Sequence, residues 1–306
     1  MYFNLNYLNK FQIKIYLFIH LIKKMNELNK NQVPKNIAII ASILIPISFV
    51  VFVEKIKSIA KSRILKNNND KEKYLFRGDL YRDEELKIFL PFSFIYLAFI
   101  ILLFIIVGPY INFNIFEIYF SSEYNKPILE KISKTILIQI INLILYTGLL
   151  IQIFSRLEYL YPKTPFSIFM ENIYGPFLEE FVYRGFLFTL LKCGGFNGYL
   201  SALLSSLTFS LSHFRHVFDI YFNKHYLKKL YFQSIYTLLF GFYTCYVYNY
   251  SGTILAPTIL HGVCNTLQMP RFNYLHYDIS KKFKIVISLG YILGIIGWII
   301  LIVIFH

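Results

Sequence analysis

Eight long apolar stretches run through this chain, and shorter polar segments separate them. A membrane-spanning helix needs about 20 predominantly apolar residues, with a range near 17–25. The candidate spans are residues 37–53, 88–110, 132–154, 177–191, 199–213, 231–250, 253–268 and 285–305. The pattern therefore predicts an all-α, polytopic membrane helix bundle of about eight transmembrane helices.

Composition supports a membrane protein. Of the 306 residues, 56% are hydrophobic and 16% are charged, and the mean hydropathy is +0.51. The net charge of +14 would suit nucleic acid, but the basic residues cluster between apolar stretches, where they orient a membrane protein and meet anionic lipid. We therefore expect membrane lipid as a partner and no nucleic acid.

Lysine and arginine counts predict the orientation of the bundle. One set of loops carries 20 basic residues, and the segments on the other side carry 9. Because cytosolic loops hold the excess of positive charge, the first set is predicted to be cytosolic: 54–87, 155–176, 214–230 and 269–284. Residues 1–36 are interpreted as an N-terminal extension outside the core, and 37–306 as one domain.

Three ionisable residues interrupt the fourth apolar stretch. Glu179 and Glu180 are adjacent, and Arg184 follows Glu180 by four residues. Charges at membrane depth are costly and point to function by default. On a helix Glu180 and Arg184 share a face and can pair, which leaves Glu179, about 100° away around the helix, for proton chemistry.

Two further polar clusters lie in other spans. His213 ends the fifth stretch, and His261 and Asn265 lie four residues apart in the seventh, so they share one helical face. With the predicted orientation, all these clusters fall near the cytosolic ends of their helices. The sequence therefore predicts one composite site.

The residue types of this site suit hydrolysis of an amide. A carboxylate beside a histidine can deprotonate a water, and a second histidine with an asparagine can donate hydrogen bonds to an oxyanion. We assign Glu179 and His213 to the water and His261 and Asn265 to the tetrahedral intermediate. Glu180 and Arg184 are assigned a supporting role.

The three clusters together also resemble a known family. The motifs occur in the order Glu-Glu-x-x-x-Arg, Phe-x-x-x-His and His-x-x-x-Asn, on separate membrane helices. This order resembles that of the CPBP/ABI intramembrane proteases. The residues around each motif are most similar to the eukaryotic branch of that family, the type II CAAX prenyl endopeptidases. The resemblance implies removal of the C-terminal tripeptide from farnesylated or geranylgeranylated CAAX proteins such as small GTPases. It also implies a multi-pass protein of the endoplasmic reticulum membrane, with its active site near the cytosolic face. The roles it implies for Glu179, Glu180, Arg184, His213, His261 and Asn265 are those assigned above.

The same residues also allow other interpretations of mechanism and function. No cofactor is required, but Glu179, His213 and His261 could hold a catalytic zinc ion, although the chain has no His-Glu-x-x-His run. Cys264 could serve as a nucleophile beside His261. The three cysteines show no disulfide or zinc spacing. The protease could act on a different peptide, or the chain could be a non-catalytic scaffold or a transporter.

Overall fold

The structure is a computed structural model that describes residues 33–67, 78–107, 127–158, 164–213, 224–268 and 272–305. This part of the chain contains helices and no strand. The α-helices are α1 (Val33–Asn67), α2 (Gly78–Val107), α3 (Ile128–Leu145), α4 (Thr147–Phe154), α5 (Pro165–Phe169), α6 (Gly175–Glu180), α7 (Thr189–Cys193), α8 (Gly198–His213), α9 (Lys224–Ser251), α10 (Leu255–Leu267) and α11 (Lys281–Phe305). Two π-helical segments, Met170–Tyr174 and Phe181–Phe188, flank α6, and a 3₁₀ turn spans Asn273–Leu275.

The predicted all-α membrane bundle is confirmed, and within the described residues the eight apolar stretches fall on helices, with breaks at Tyr146 and at residues 253, 254 and 268. Among these residues, α11 is long and apolar enough to cross a membrane, and α3 with α4 would be a second such span if the bent pair is counted as one. The number of spans stays a prediction. The predicted extension lies outside the described residues up to position 32, and α1 begins at Val33.

Helix α11 has one narrow buried face on an otherwise exposed apolar surface. Its buried residues are Ile287, Gly290, Tyr291 and Gly294, and this face packs against α3 and α4. Large apolar side chains on the remaining sides are exposed, including Leu293 at 61%. Such a surface suits lipid contact, because lipid tails favour the apolar side chains that water does not.

The prediction of one helix over 132–154 is wrong in detail, because the chain bends by 70° between α3 and α4. The bend lies at Tyr146, whose φ of −89° and ψ of 9° leave the helical region. The Tyr291 ring of α11 fills the space beside Gly148. The hydroxyl of Tyr291 also accepts a hydrogen bond of 2.7 Å from Nε2 of the buried Gln152. A tertiary contact therefore holds a bend that hydropathy alone does not reveal.

Substitution of Gly148 by alanine tests this packing. A Cβ there would overlap with the Tyr291 ring, and overpacking of a core costs about 1–3 kcal/mol. We expect Gly148→Ala to lower the unfolding temperature in detergent. Gly198→Ala is the control, since no atom lies within 4 Å of its added Cβ. Equal stability of the two variants would contradict the close contact between Gly148 and Tyr291.

The chain from α6 to α7 forms the centre of the bundle. Every residue from Glu180 to Leu191 is buried, because other helices surround this segment. The second π segment packs against α8, α9 and α1, while α10 packs against α6 and the first π segment. This arrangement brings the carboxylate pair to the helix that carries His261 and Asn265.

Candidate active site

The predicted pair of Glu180 and Arg184 is present at the centre of the bundle. Arg184 Nε lies 3.1 Å from Glu180 Oε2, and both side chains are 0% exposed. The atoms are close enough for an ion pair, although they are not aligned as a hydrogen bond. Two opposite charges are thus buried together, which avoids the large cost of burying either one alone.

Phe209 completes the surroundings of the guanidinium. The Arg184 Cζ lies over the Phe209 ring at 4.3 Å from its centroid, a cation–π geometry. Phe209 belongs to α8 and is 1% exposed. The fifth predicted span therefore contacts the buried charges directly.

His261 adds a second partner to Glu180. Its Nδ1 lies 2.8 Å from Glu180 Oε1. A carboxylate accepts, so Nδ1–H is the donor, and the bond fixes both the ring orientation and the position of that proton. The sequence analysis gave Glu180 only Arg184 as a partner. Helical periodicity describes contacts within one helix, and this bond joins two helices far apart in the chain.

Glu179 lies on the more accessible side of the same cluster. Its Oε2 is 3.9 Å from His261 Nε2, and its side chain is 21% exposed compared with 9% for His261. This separation is too long for a direct hydrogen bond and is in the range where a bridging oxygen can lie between two polar groups. The cluster is thus partly accessible at Glu179 and fully buried at Glu180.

His213 contacts the cluster through Phe209. Its Nδ1 lies 2.9 Å from the Phe209 carbonyl oxygen, which can only accept, so Nδ1 carries a proton. The two rings meet edge to face at 4.7 Å, and the Phe209 ring is also 6.1 Å from that of His261. Phe209 lies between the two histidines. The sequence analysis gave it no role, although it precedes His213 by one helical turn.

Asn265 is tied to the first π segment. Its Nδ2 donates a hydrogen bond of 2.9 Å to the Glu171 carbonyl oxygen, and the residue is exposed. It follows His261 by one turn on α10. The carboxamide is therefore held at the accessible end of the site.

These contacts join the predicted residues in part. Glu179, Glu180, Arg184 and His261 form one cluster. His213 is linked to this cluster through Phe209, and Asn265 is placed by the backbone of Glu171. The pairing of Glu179 with His213 on a water, and of His261 with Asn265 on an oxyanion, stays a prediction.

Comparison with known proteins points to the family that the motifs resemble. Residues 161–267 match the family model described as Type II CAAX prenyl endopeptidase Rce1-like. The resemblance to the type II CAAX prenyl endopeptidases is confirmed. The matched segment contains all six predicted site residues and both π segments.

Three curated relatives support the same family. The chain is 28% identical over 140 residues to CAAX prenyl protease 2 of Arabidopsis thaliana, covering 44% of this chain and 43% of that protein. It is 27% identical over 128 residues to CAAX prenyl protease 2 of Caenorhabditis elegans, covering 40% and 48%. For the protein of that name from Homo sapiens the identity is 27% over 106 residues, covering 33% and 32%. The chain thus spans less than half the length of each relative, and no solved structure matches it significantly.

The residues present do not fit a zinc ion. Within the described ranges, no three side chains of histidine, cysteine, aspartate or glutamate are grouped so that they could hold a metal. Glu180 and His261 are engaged with each other, and the Arg184 cation already lies beside Glu180. The mechanism proposed below therefore uses no metal ion.

Cys264 lies next to the site in sequence, but its thiol is buried. It packs among Tyr146, Asn142 and Tyr236. All three cysteines are free of disulfides. A mechanism based on this thiol would leave the buried cluster of Glu180, Arg184 and His261 without a role.

Proposed function

We propose that this chain is an intramembrane endopeptidase that removes the C-terminal tripeptide from isoprenylated CAAX proteins. The substrates would be farnesylated or geranylgeranylated proteins such as small GTPases, at the cytosolic face of the endoplasmic reticulum membrane. The observation that carries the proposal is the buried cluster in which Glu180 binds both Arg184 and His261, with Glu179 at its accessible side. This cluster lies within the segment that matches the type II CAAX prenyl endopeptidases.

The proposed mechanism assigns a proton to each ring nitrogen of His261. Nδ1–H donates to Glu180. Nε2–H lies on the side of Glu179, where the oxyanion would form.

The first chemical step is attack by water on the scissile amide carbonyl. The Glu179 carboxylate takes one proton of the water, and the lone pair on His213 Nε2 accepts the hydrogen bond of the other. The C–O bond forms as the carbonyl π electrons move to its oxygen. His261 Nε2–H and Asn265 Nδ2–H donate hydrogen bonds to the resulting oxyanion.

The second step breaks the C–N bond. The oxyanion electrons re-form the carbonyl, and the proton held by Glu179 passes to the departing nitrogen. The remaining O–H proton of the new carboxyl group then passes to the amine, so the tripeptide leaves with an ammonium group and the prenylated protein keeps a new terminal carboxylate. Glu179 returns to its ionised form, so the cycle needs only one water.

The helices that carry the site also present apolar surface. Leu211 on the helix of His213 is 60% exposed, and Ile259 on the helix of His261 is 45% exposed. Each lies two residues from its histidine and so on a different face of the helix, while Asn265 is exposed and polar. An isoprenyl chain requires apolar surface open to lipid, and the peptide requires polar groups beside it.

The proposal is tested with purified protein in lipid vesicles and two peptides of one sequence, farnesylated and unmodified. We expect release of the C-terminal tripeptide from the farnesylated peptide and a much lower kcat/KM for the unmodified one. Equal cleavage of the two would show a peptidase of different substrate class. Cleavage of neither by folded protein would contradict the proposal.

Chelators provide a separate test of the chemistry. Because the described donors do not fit a metal ion, we expect dialysis against EDTA or 1,10-phenanthroline to leave the rate of tripeptide release unchanged. The measurement is the rate before chelation, after it, and after zinc is restored. Loss of activity that zinc restores would contradict the metal-free mechanism.

A further inference from the structure

The Glu171 carbonyl that holds Asn265 is an unusual acceptor, because it lies inside helical structure. In an α-helix a carbonyl accepts from the N–H four residues later, and in a π-helix from the N–H five residues later. For Glu171 these donors would come from residues 175 and 176. The first of these donates to a different carbonyl, and the second has no N–H.

The local sequence explains why both donors are lost. The Gly175 N–H donates to the Met170 carbonyl, five residues earlier, and so closes the first π segment. Residue 176 is proline, which has no N–H. The π turn and Pro176 together remove the two regular backbone partners of the Glu171 oxygen. That oxygen accepts a hydrogen bond from the Asn265 side chain.

Two glycines permit this geometry in different ways. Gly175 leaves room inside the π turn, where a Cβ would lie 2.8 Å from the Met170 oxygen, and Gly262 lets α10 approach the π segment, since a Cβ there would overlap with the Asn172 carbonyl oxygen. Helix α10 therefore lies directly against the backbone of the first π segment. Asn265, three residues beyond Gly262, reaches the carbonyl that precedes Asn172.

We propose that Pro176 is a positioning residue for Asn265 and acts by withholding a backbone N–H from Glu171. One Nδ2 hydrogen of Asn265 is then fixed on the carbonyl, and the second remains for the substrate. The fixed amide cannot turn its Oδ1 toward a developing oxyanion, which it would repel. This inference rests on the proposed function, because it assigns Asn265 to the oxyanion.

The test is a double-mutant cycle on tripeptide release. Pro176→Ala restores an N–H that competes for the Glu171 oxygen, so we expect kcat to fall about tenfold while KM stays unchanged. Asn265→Ala alone should lower kcat by about 10²–10³, the range for loss of an oxyanion donor. In the Asn265→Ala background, Pro176→Ala should cause no further loss, because the amide it misplaces is absent.

Pro91 provides a matched control. It lies inside α2, is exposed, and gains a backbone N–H in the same way when replaced by alanine. We expect Pro91→Ala to keep the kcat of the wild type. Unchanged kcat in Pro176→Ala, or losses that multiply in the double variant, would overturn the inference. Absence of cleavage by folded wild-type protein would instead overturn the proposed function.

A second measurement covers the case in which Pro176→Ala does not fold. In wild-type protein labelled with ¹⁵N-asparagine, the Asn265 side-chain signal is identified by its absence in Asn265→Ala. We expect one of the two Nδ2 protons to be shifted downfield and protected from exchange with water by the Glu171 carbonyl. Two Nδ2 protons at the shifts of an exposed asparagine, both exchanging rapidly with water, would overturn the inference independently of activity.

Discussion

Glu179→Gln is expected to abolish tripeptide release while leaving the protein folded. Glutamine keeps the shape of the side chain but cannot take a proton from water, and loss of a general base costs about 10²–10⁴ in rate. The side chain is partly exposed and lies outside the Glu180–Arg184 pair, so stability should change little. The measurement is kcat on a farnesylated peptide, with the unfolding temperature in detergent.

Glu130→Gln is the matched control for this variant. Glu130 forms a partly exposed pair of 3.0 Å with Lys134 on α3, and pairs near the surface contribute little. We expect its rate and unfolding temperature to equal those of the wild type. A Glu179→Gln protein that retains the wild-type rate would contradict the assignment of Glu179 as the base.

Arg184→Met is expected to have the largest effect on stability. It leaves the Glu180 carboxylate buried without its cation, and breaking a buried ion pair in this way costs about 3–5 kcal/mol. Methionine is unbranched and apolar, and although shorter than arginine it fills the space of the arginine stem without a charge. The expected result is a large loss of folded protein in fluorescence-detected size-exclusion chromatography and a lower unfolding temperature.

The double variant Glu180→Gln/Arg184→Met separates stability from catalysis. With both charges removed, no buried charge of the pair is left uncompensated, so much of the lost stability should return. Activity should stay low, because glutamine at this position does not provide the carboxylate that orients His261. A double variant less stable than Arg184→Met would contradict the view that charge compensation dominates at this position.

Hydropathy and helical spacing predict part of this arrangement correctly. The eight apolar stretches fall on helices, and Glu180 pairs with Arg184 because residues four apart share a face of any α-helix. The convergence of separate motifs on one site is supported by the 2.8 Å contact between His261 and Glu180. These features depend on local periodicity and on the high cost of isolated charge in apolar surroundings.

Features that depend on tertiary contact or on departures from regular helix are not predicted. The bend at Tyr146 lies where the Tyr291 ring packs beside Gly148, a contact between residues far apart in the chain. The bond of Asn265 to Glu171 requires a π turn, and an ideal 3.6-residue period does not indicate where such turns occur. The sequence predicts that Glu180 lies near Arg184. It does not predict that Nδ1 of His261 faces Glu180 and that Nε2 faces Glu179.

The most direct test of the central claim is cleavage of a farnesylated CAAX peptide in water enriched in ¹⁸O, followed by mass spectrometry of both products. We predict an unlabelled C-terminal tripeptide and one ¹⁸O atom in the new terminal carboxylate of the prenylated fragment, because water attacks that carbonyl. Folded protein that releases no tripeptide, or a prenylated product without the label, would contradict the account.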